Sequence, residues 1–208
     1  MFSRTFFTGE IYHIYNRGVD KRVIFESEED RRKWLSNIIR FNDKNNHLWP
    51  SRRDQRTEPS NEPLVDILAF CLMPNHFHML IKQKEDGGIS KFMQRMGNSY
   101  TLTFNKKSNR SGRLFESTFK ATWIFNEAQY QYITKYIHLN PLSLIGLDWK
   151  KLDRNLSKKE IKFLIDYPWS SLSSYLDQSS THPFVNTELI KIFSGRDDYL
   201  DYLSAFNA

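Results

Sequence analysis

The sequence predicts an α+β fold: an antiparallel sheet with helices packed on it, in the order β-α-β-β-α-β-α, followed by a helical extension. Two observations carry that prediction. Short apolar, β-branched or aromatic runs bounded by turn residues lie at 9–18, 64–73 and 76–82, and apolar residues three and four apart mark helices between and after them. With 16 Phe, 10 Tyr and 5 Trp in 208 residues, the chain can also bury a sizeable core, which excludes disorder throughout. The length suits one domain plus an extension, expected as residues 1–145 and 146–208.

Gly9–Gly18 reads as the first strand, closed by the turn chemistry of Asn16 to Gly18. Ser27 then offers an N-cap, with Asp30 at the capping-box position and acids at the positive end of the helix dipole. Trp34, Leu35, Ile38 and Ile39 follow at helical spacing, so residues 28–41 form a helix with one apolar face. Residues 42–63 hold only two large apolar side chains and read as a long polar insertion. Leu64–Met73 is a buried strand, Pro74-Asn75 a tight turn, and His76–Lys82 the second half of a hairpin. After Gly87-Gly88, Ile89, Phe92, Met93, Met96, Tyr100 and Phe104 mark a second amphipathic helix. A basic turn, Lys106–Arg113, precedes Phe115–Ile124, which reads as extended. Asn126 caps a third helix running to about Leu139, stopped by Pro141. A Ser-Lys-Lys-Glu capping box opens a helix over Ser157–Ile165, and a last helical stretch is expected from Asn186.

The formal charge of +6 favours a polyanionic partner, nucleic acid above all. Cys71 is the lone cysteine, which excludes an internal disulfide and a multi-cysteine zinc site. Inside the apolar run 67–73 it reads as a small buried hydrophobe. That run is far short of the about 20 residues needed to cross a bilayer, and residues 1–9 hold no sustained hydrophobic stretch. The expectation is a cytoplasmic protein with no membrane partner.

Three patterns carry chemistry. His76 and His78 flank Phe77 on a strand, so alternation sends both imidazoles to one face and Phe77 and Met79 into the core. The pair reads as half of a metal site, or as two surface histidines with a structural role. On the third helix Tyr136 and Asn140, four residues apart, share a face. Asn140 reads equally well as an ordinary helix end before Pro141. Lys106, Lys107, Arg110, Arg113 and Lys120, with Phe115 and Phe119, suit phosphates and stacked bases, or form a solvated turn before a core strand.

Taken together, six segments resemble the single-tyrosine HUH transposases, most of all their REP-associated tyrosine transposase branch. They are Tyr12-His13-Ile14-Tyr15-Asn16-Arg17-Gly18, Leu72–Ile81 with its Met73-Pro74-Asn75-His76-Phe77-His78 string, Gly112–Phe115, Phe119-Lys120-Ala121, Tyr136-Ile137-His138-Leu139-Asn140-Pro141, and Tyr167-Pro168-Trp169-Ser170-Ser171. The resemblance implies a ferredoxin-like, HUH-type arrangement in residues 1–145. It implies that His76, His78 and Asn140 hold a divalent cation, Mg²⁺ or Mn²⁺, and that Tyr136 is the nucleophile. The implied activity is cleavage and transfer of single-stranded DNA bearing a hairpin formed by an inverted repeat. It proceeds through a 5′-phosphotyrosine and needs no other cofactor.

The DNA contacts then expected are Tyr12, His13, Asn16 and Arg17 on the first strand, and Lys106, Lys107, Arg110, Arg113 and Lys120 beyond the second helix. The group that deprotonates Tyr136 stays open among the metal, Lys135, His138 and solvent. Thr118 stands where a basic residue is expected, and the insertion 42–63 is long for the family. Its Arg52, Arg53 and Arg56 are the alternative contact surface. A monomer and a homodimer both fit. Two competing readings share the scaffold: a domesticated, non-mobile nucleic-acid-binding or regulatory protein, and a metal-dependent phosphoesterase that uses water.

Overall fold

A computed structural model describes residues 5–45, 62–176, 182–187 and 196–206. In chain order the elements are β1 (Ile11–Arg17), α1 (Glu28–Phe41), β2 (Val65–Met73), β3 (His76–Gln83), α2 (Gly88–Lys107), β4 (Lys120–Ile124), α3 (Glu127–Leu139), α4 (Lys158–Asp166), α5 (Leu172–Leu176) and α6 (Arg196–Ser204). The strands form one antiparallel sheet ordered β2-β3-β1-β4, so β1 and β3 are its centre. The order β-α-β-β-α-β-α expected from the sequence is the one observed.

Local chemistry sets the helix ends where the sequence placed them. Ser27 accepts from the Asp30 N–H while the Asp30 carboxylate returns to the Ser27 N–H, a complete capping box. Asn126 caps α3 through the Gln129 N–H, and Ser157 with Glu160 forms a second box at α4.

Alternation along the strands divides the interior in two. Tyr12, Ile14, Phe77, Met79 and Ile81 face α1 and α2, meeting Trp34, Ile38, Phe92, Met96 and Tyr100. Leu80, Ala69, Cys71 and Met73 face α3, meeting Tyr130 and Ile137. Each large side chain fully buried this way contributes about 1.5–3 kcal/mol. The sheet is therefore covered on both faces, and a strand face that reads as solvent-exposed in sequence is here an interior under α3.

One expectation is corrected, and two fall mostly outside the described residues. Residues 115–119 are irregular apart from a Gly18–Phe115 bridge, and β4 begins only at Lys120. The Asn16 amide donates to the carbonyls of Ser117 and Thr118, satisfying groups that a longer strand would have paired. The helical stretch expected from Asn186 falls mostly on residues 188–195, outside the described residues; the Asn186 N–H bonds to the Ile67 carbonyl along the β2 edge, and α6 spans Arg196–Ser204. Most of the insertion, with Arg52, Arg53 and Arg56, lies outside the described residues. Its two ends are joined by a reciprocal pair of hydrogen bonds between the Asn42 amide and the Val65 backbone, at 2.8 and 2.9 Å.

The Tyr167–Ser171 motif covers the otherwise open edge of β2. The Leu72 N–H bonds to the Trp169 carbonyl, the Ser171 N–H to the Phe70 carbonyl, and the Tyr167 hydroxyl to the Leu72 carbonyl. Gly18 is needed where β1 meets the hairpin turn, since a Cβ there would lie 2.4 Å from the Arg22 carbonyl oxygen. Among the described residues no helix is long and apolar enough to cross a membrane.

Candidate active site

Tyr15 pairs with His78 and Arg17 with His76 across the two central strands. His13, Tyr15 and Arg17 alternate onto the same face as the two histidines, the face that α3 crosses. Tyr136 of α3 joins them. Tyr15, Arg17, His76, His78 and Tyr136, with Asn16, Glu116 and Lys120, line a cavity of about 240 Å³.

Hydrogen bonds fix how each ligand candidate points. The Asn75 amide nitrogen donates to the Lys21 carbonyl, which leaves its oxygen to accept from Nδ1 of His76 at 2.6 Å. A neutral His76 then carries its lone pair on Nε2. The Asn140 amide nitrogen donates to the Tyr136 carbonyl, and its oxygen stands 3.4 Å from that Nε2. An imidazole nitrogen and an amide oxygen this close together can share one cation, so the pair fits the donor set of a metal. His78 is held by a 2.9 Å bond between its Nδ1 and Nε2 of His13. Among the described residues no three His, Cys, Asp or Glu side chains converge on a metal position.

All three imidazoles are kept uncharged. Burial lowers His76, and the Arg17 charge adds to this. Burial also pushes His78 well below the usual range, and any charge on His13 or His76 would add to the effect of Arg17 and Lys150; burial brings His13 down to about 4. Neutral imidazole is the form that binds metals. His78, 5% exposed, is no surface histidine: it lies beneath Tyr136, ring centroids 5.1 Å apart.

Tyr136 is half-buried and gripped from the other side as well. The Trp149 ring lies 6.1 Å away, and the Lys150 Nζ stands 4.8 Å from the centre of the Tyr136 ring. Sequence reading had not singled out Trp149, Lys150, Tyr15 or Glu116 as site residues. Tyr15 was findable, lying two residues from both His13 and Arg17 on one strand face. Lys150 reaches the site from a single 3₁₀ turn, Trp149–Lys151, and Glu116 from irregular backbone, and no periodicity reports either.

Neither side chain weighed as base for Tyr136 is free for that role. The Lys135 ammonium donates to the Tyr202 and Ala205 carbonyls at 2.8 and 2.6 Å. His138 is fully buried between the Tyr199 hydroxyl and the Ser171 hydroxyl.

The nine expected DNA contacts separate. Arg17 and Lys120 line the cavity. Tyr12 is a core residue whose hydroxyl accepts from the Phe7 N–H, and buried Asn16 is engaged with the 117–118 carbonyls. His13 is buried against His78. Lys107 forms an ion pair with Asp30 at 2.8 Å. Arg110 bonds to the Asn105 side chain and the Arg113 carbonyl, which shapes the turn. Lys106 and Arg113 are exposed, and Arg113 lines an open groove between α2 and residues 112–119.

Part of the chain resembles a known family, and its fold resembles a solved structure. The family described as "Transposase IS200 like" matches residues 54–140, the stretch that carries His76, His78, Tyr136 and Asn140. No curated protein matches the chain. A solved structure of a REP-associated tyrosine transposase bound to a REP hairpin superposes with a TM-score of 0.51 at 13% identity, covering 88% of each chain. At that identity the likeness speaks for the fold. Residues 54–140 thus resemble the IS200-like transposases in sequence, and the fold agrees with that of the solved REP-associated tyrosine transposase.

Proposed function

We propose that the chain cleaves and rejoins single-stranded DNA that carries a hairpin, through a 5′-phosphotyrosine on Tyr136. One observation supports this above the others: Tyr136 shares a small cavity with two imidazoles, His76 and His78, and two cations, Arg17 and Lys120. In this reading Arg17 and Lys120 draw the scissile phosphate in and offset its charge. The phenol oxygen attacks phosphorus, the bond from phosphorus to O3′ breaks, and a free 3′-hydroxyl leaves. A phenol, with a pKa of about 10, leaves again more readily than an alkoxide, so the 3′-hydroxyl of another strand reverses the step and the bond energy is retained. A divalent cation held by His76, His78 and Asn140 supplies Lewis-acid polarisation of a non-bridging oxygen. Imidazole with a neutral amide oxygen suits Mn²⁺, and Mg²⁺ when water completes its shell. The hairpin partner is supported by the relative solved with a REP hairpin.

The test is covalent trapping. Protein, Mn²⁺ and a labelled hairpin-bearing single strand are expected to give an adduct that survives denaturant, and Tyr136→Phe to give none while binding the strand within about twofold of wild type. Cleavage without any adduct would favour attack by water. An adduct undiminished in Tyr136→Phe would remove Tyr136 from the role.

A further inference from the structure

We infer that His13 is a positioning residue for the metal site: its Nε2 accepts the Nδ1 proton of His78 and so keeps the Nε2 lone pair of His78 free for a cation. The inference rests on the proposed role of His78 as a ligand. A neutral imidazole has one proton for two nitrogens, and only the bare nitrogen coordinates. For His76 the choice is made by the Asn75 oxygen, 2.6 Å from Nδ1. For His78 the group within reach of Nδ1 is Nε2 of His13, at 2.9 Å.

The fold explains why His13 can serve. It sits opposite Leu80 on β1, one step along the same face from the Tyr15–His78 pair, so its ring reaches His78 diagonally. Its ring packs against those of both Tyr15 and His78, 4.9 and 5.1 Å away at interplanar angles of 24° and 22°, with Tyr15 and His78 themselves 5.8 Å apart. It is 6% exposed, which leaves little room for water to replace the bond. The opposite tautomer pair would put a proton on Nε2 of His78 and remove that nitrogen as a donor. A DNA contact, the role expected from sequence, would require the ring to leave this stack.

Two measurements test the inference. The first is Mn²⁺ affinity, read by electron paramagnetic resonance without DNA, for His13→Phe, which keeps a ring but has no acceptor, and His13→Gln, which restores an acceptor oxygen. The expected result is an affinity about 10–100-fold weaker in His13→Phe and within about threefold of wild type in His13→Gln. The second is ¹⁵N NMR of the metal-free wild-type protein, which is expected to show His78 protonated on Nδ1. Unchanged Mn²⁺ affinity in a folded His13→Phe protein, or a wild-type His78 protonated on Nε2, would overturn the assignment. If wild type binds no Mn²⁺, the metal reading itself fails, whereas the NMR result still decides what His13 does to His78. If His13→Phe fails to fold, the NMR result and His13→Gln decide it.

Discussion

Lys107 and Arg113 are equivalent in sequence, two cations in one basic turn, and opposite in structure. Lys107 completes the cap of α1 through Asp30, while Arg113 is exposed beside the α2 groove. Lys107→Ala is therefore expected to lower stability by about 1 kcal/mol, the lower end for a partly exposed charged bond, and to leave DNA binding alone. Arg113→Ala should make the slope of log K against log salt shallower by about 0.7, one phosphate contact on a single strand. Salt titrations of both variants check this, and a shallower slope for Lys107→Ala alone would reverse the assignment. Lys150 belongs to the same scale. Lys150→Met is expected to slow single-turnover cleavage about tenfold with a stability change below about 1 kcal/mol, since a partly exposed cation–π contact holds little more than that. An unchanged rate would leave Lys150 a surface charge. The four central residues, Tyr136, His76, His78 and Asn140, were legible because their strings are specific. Tyr12 and Asn16, expected as DNA contacts, are buried with hydrogen-bond partners inside the protein, because adjacency in a string does not report burial.

The helix that carries Tyr136 is fastened by elements that come after it in the chain. Lys135 reaches the last carbonyls of α6, where a cation also meets the negative end of the helix dipole, and burial lowers its pKa without displacing it. His138 joins Tyr199 of α6 to Ser171, whose hydroxyl also accepts from the Phe70 N–H of β2. Tyr199→Phe removes one of these partners inside a buried network and should cost about 1–3 kcal/mol of unfolding free energy, read from denaturant midpoints. A loss under about 0.5 kcal/mol would mean that α6 does not brace α3. Capping boxes, helix spacing and the two-residue hairpin turn were readable because their signals are local. The fastening of α3 was not, for it joins residues 135 and 138 to residues some 60–70 positions away with no pattern at either end. The late start of β4 escaped for a related reason: Asn16, a hundred residues earlier, supplies the bonds that replace strand pairing.

Across the whole molecule, the five described histidines all have their pKa values lowered, in each case chiefly by burial: His13, His76, His78, His138 and His182. In the unfolded chain each takes a proton near 6.5, whereas in the folded chain His13 waits until about 4 and His138 until about 3. Below 6.5 the unfolded state therefore binds more protons, and stability falls as pH falls, by up to about 1.4 kcal/mol per pH unit for each such group. Denaturant midpoints of the metal-free protein should drop steeply between pH 6.5 and about 4 and stay level just above 6.5 with respect to these groups; a flat profile through that window would contradict their burial. The central claim concerns one oxygen atom, and peptide mapping of the protein–DNA adduct tests it most directly. Trypsin cleavage after Lys135 and Lys150 releases residues 136–150, in which Tyr136 is the only tyrosine, while Tyr130 and Tyr132 fall on the preceding peptide. Mass spectrometry is predicted to find the nucleotide on residues 136–150; a nucleotide found on the peptide that carries Tyr130 and Tyr132, or on no tyrosine peptide at all, would contradict the account.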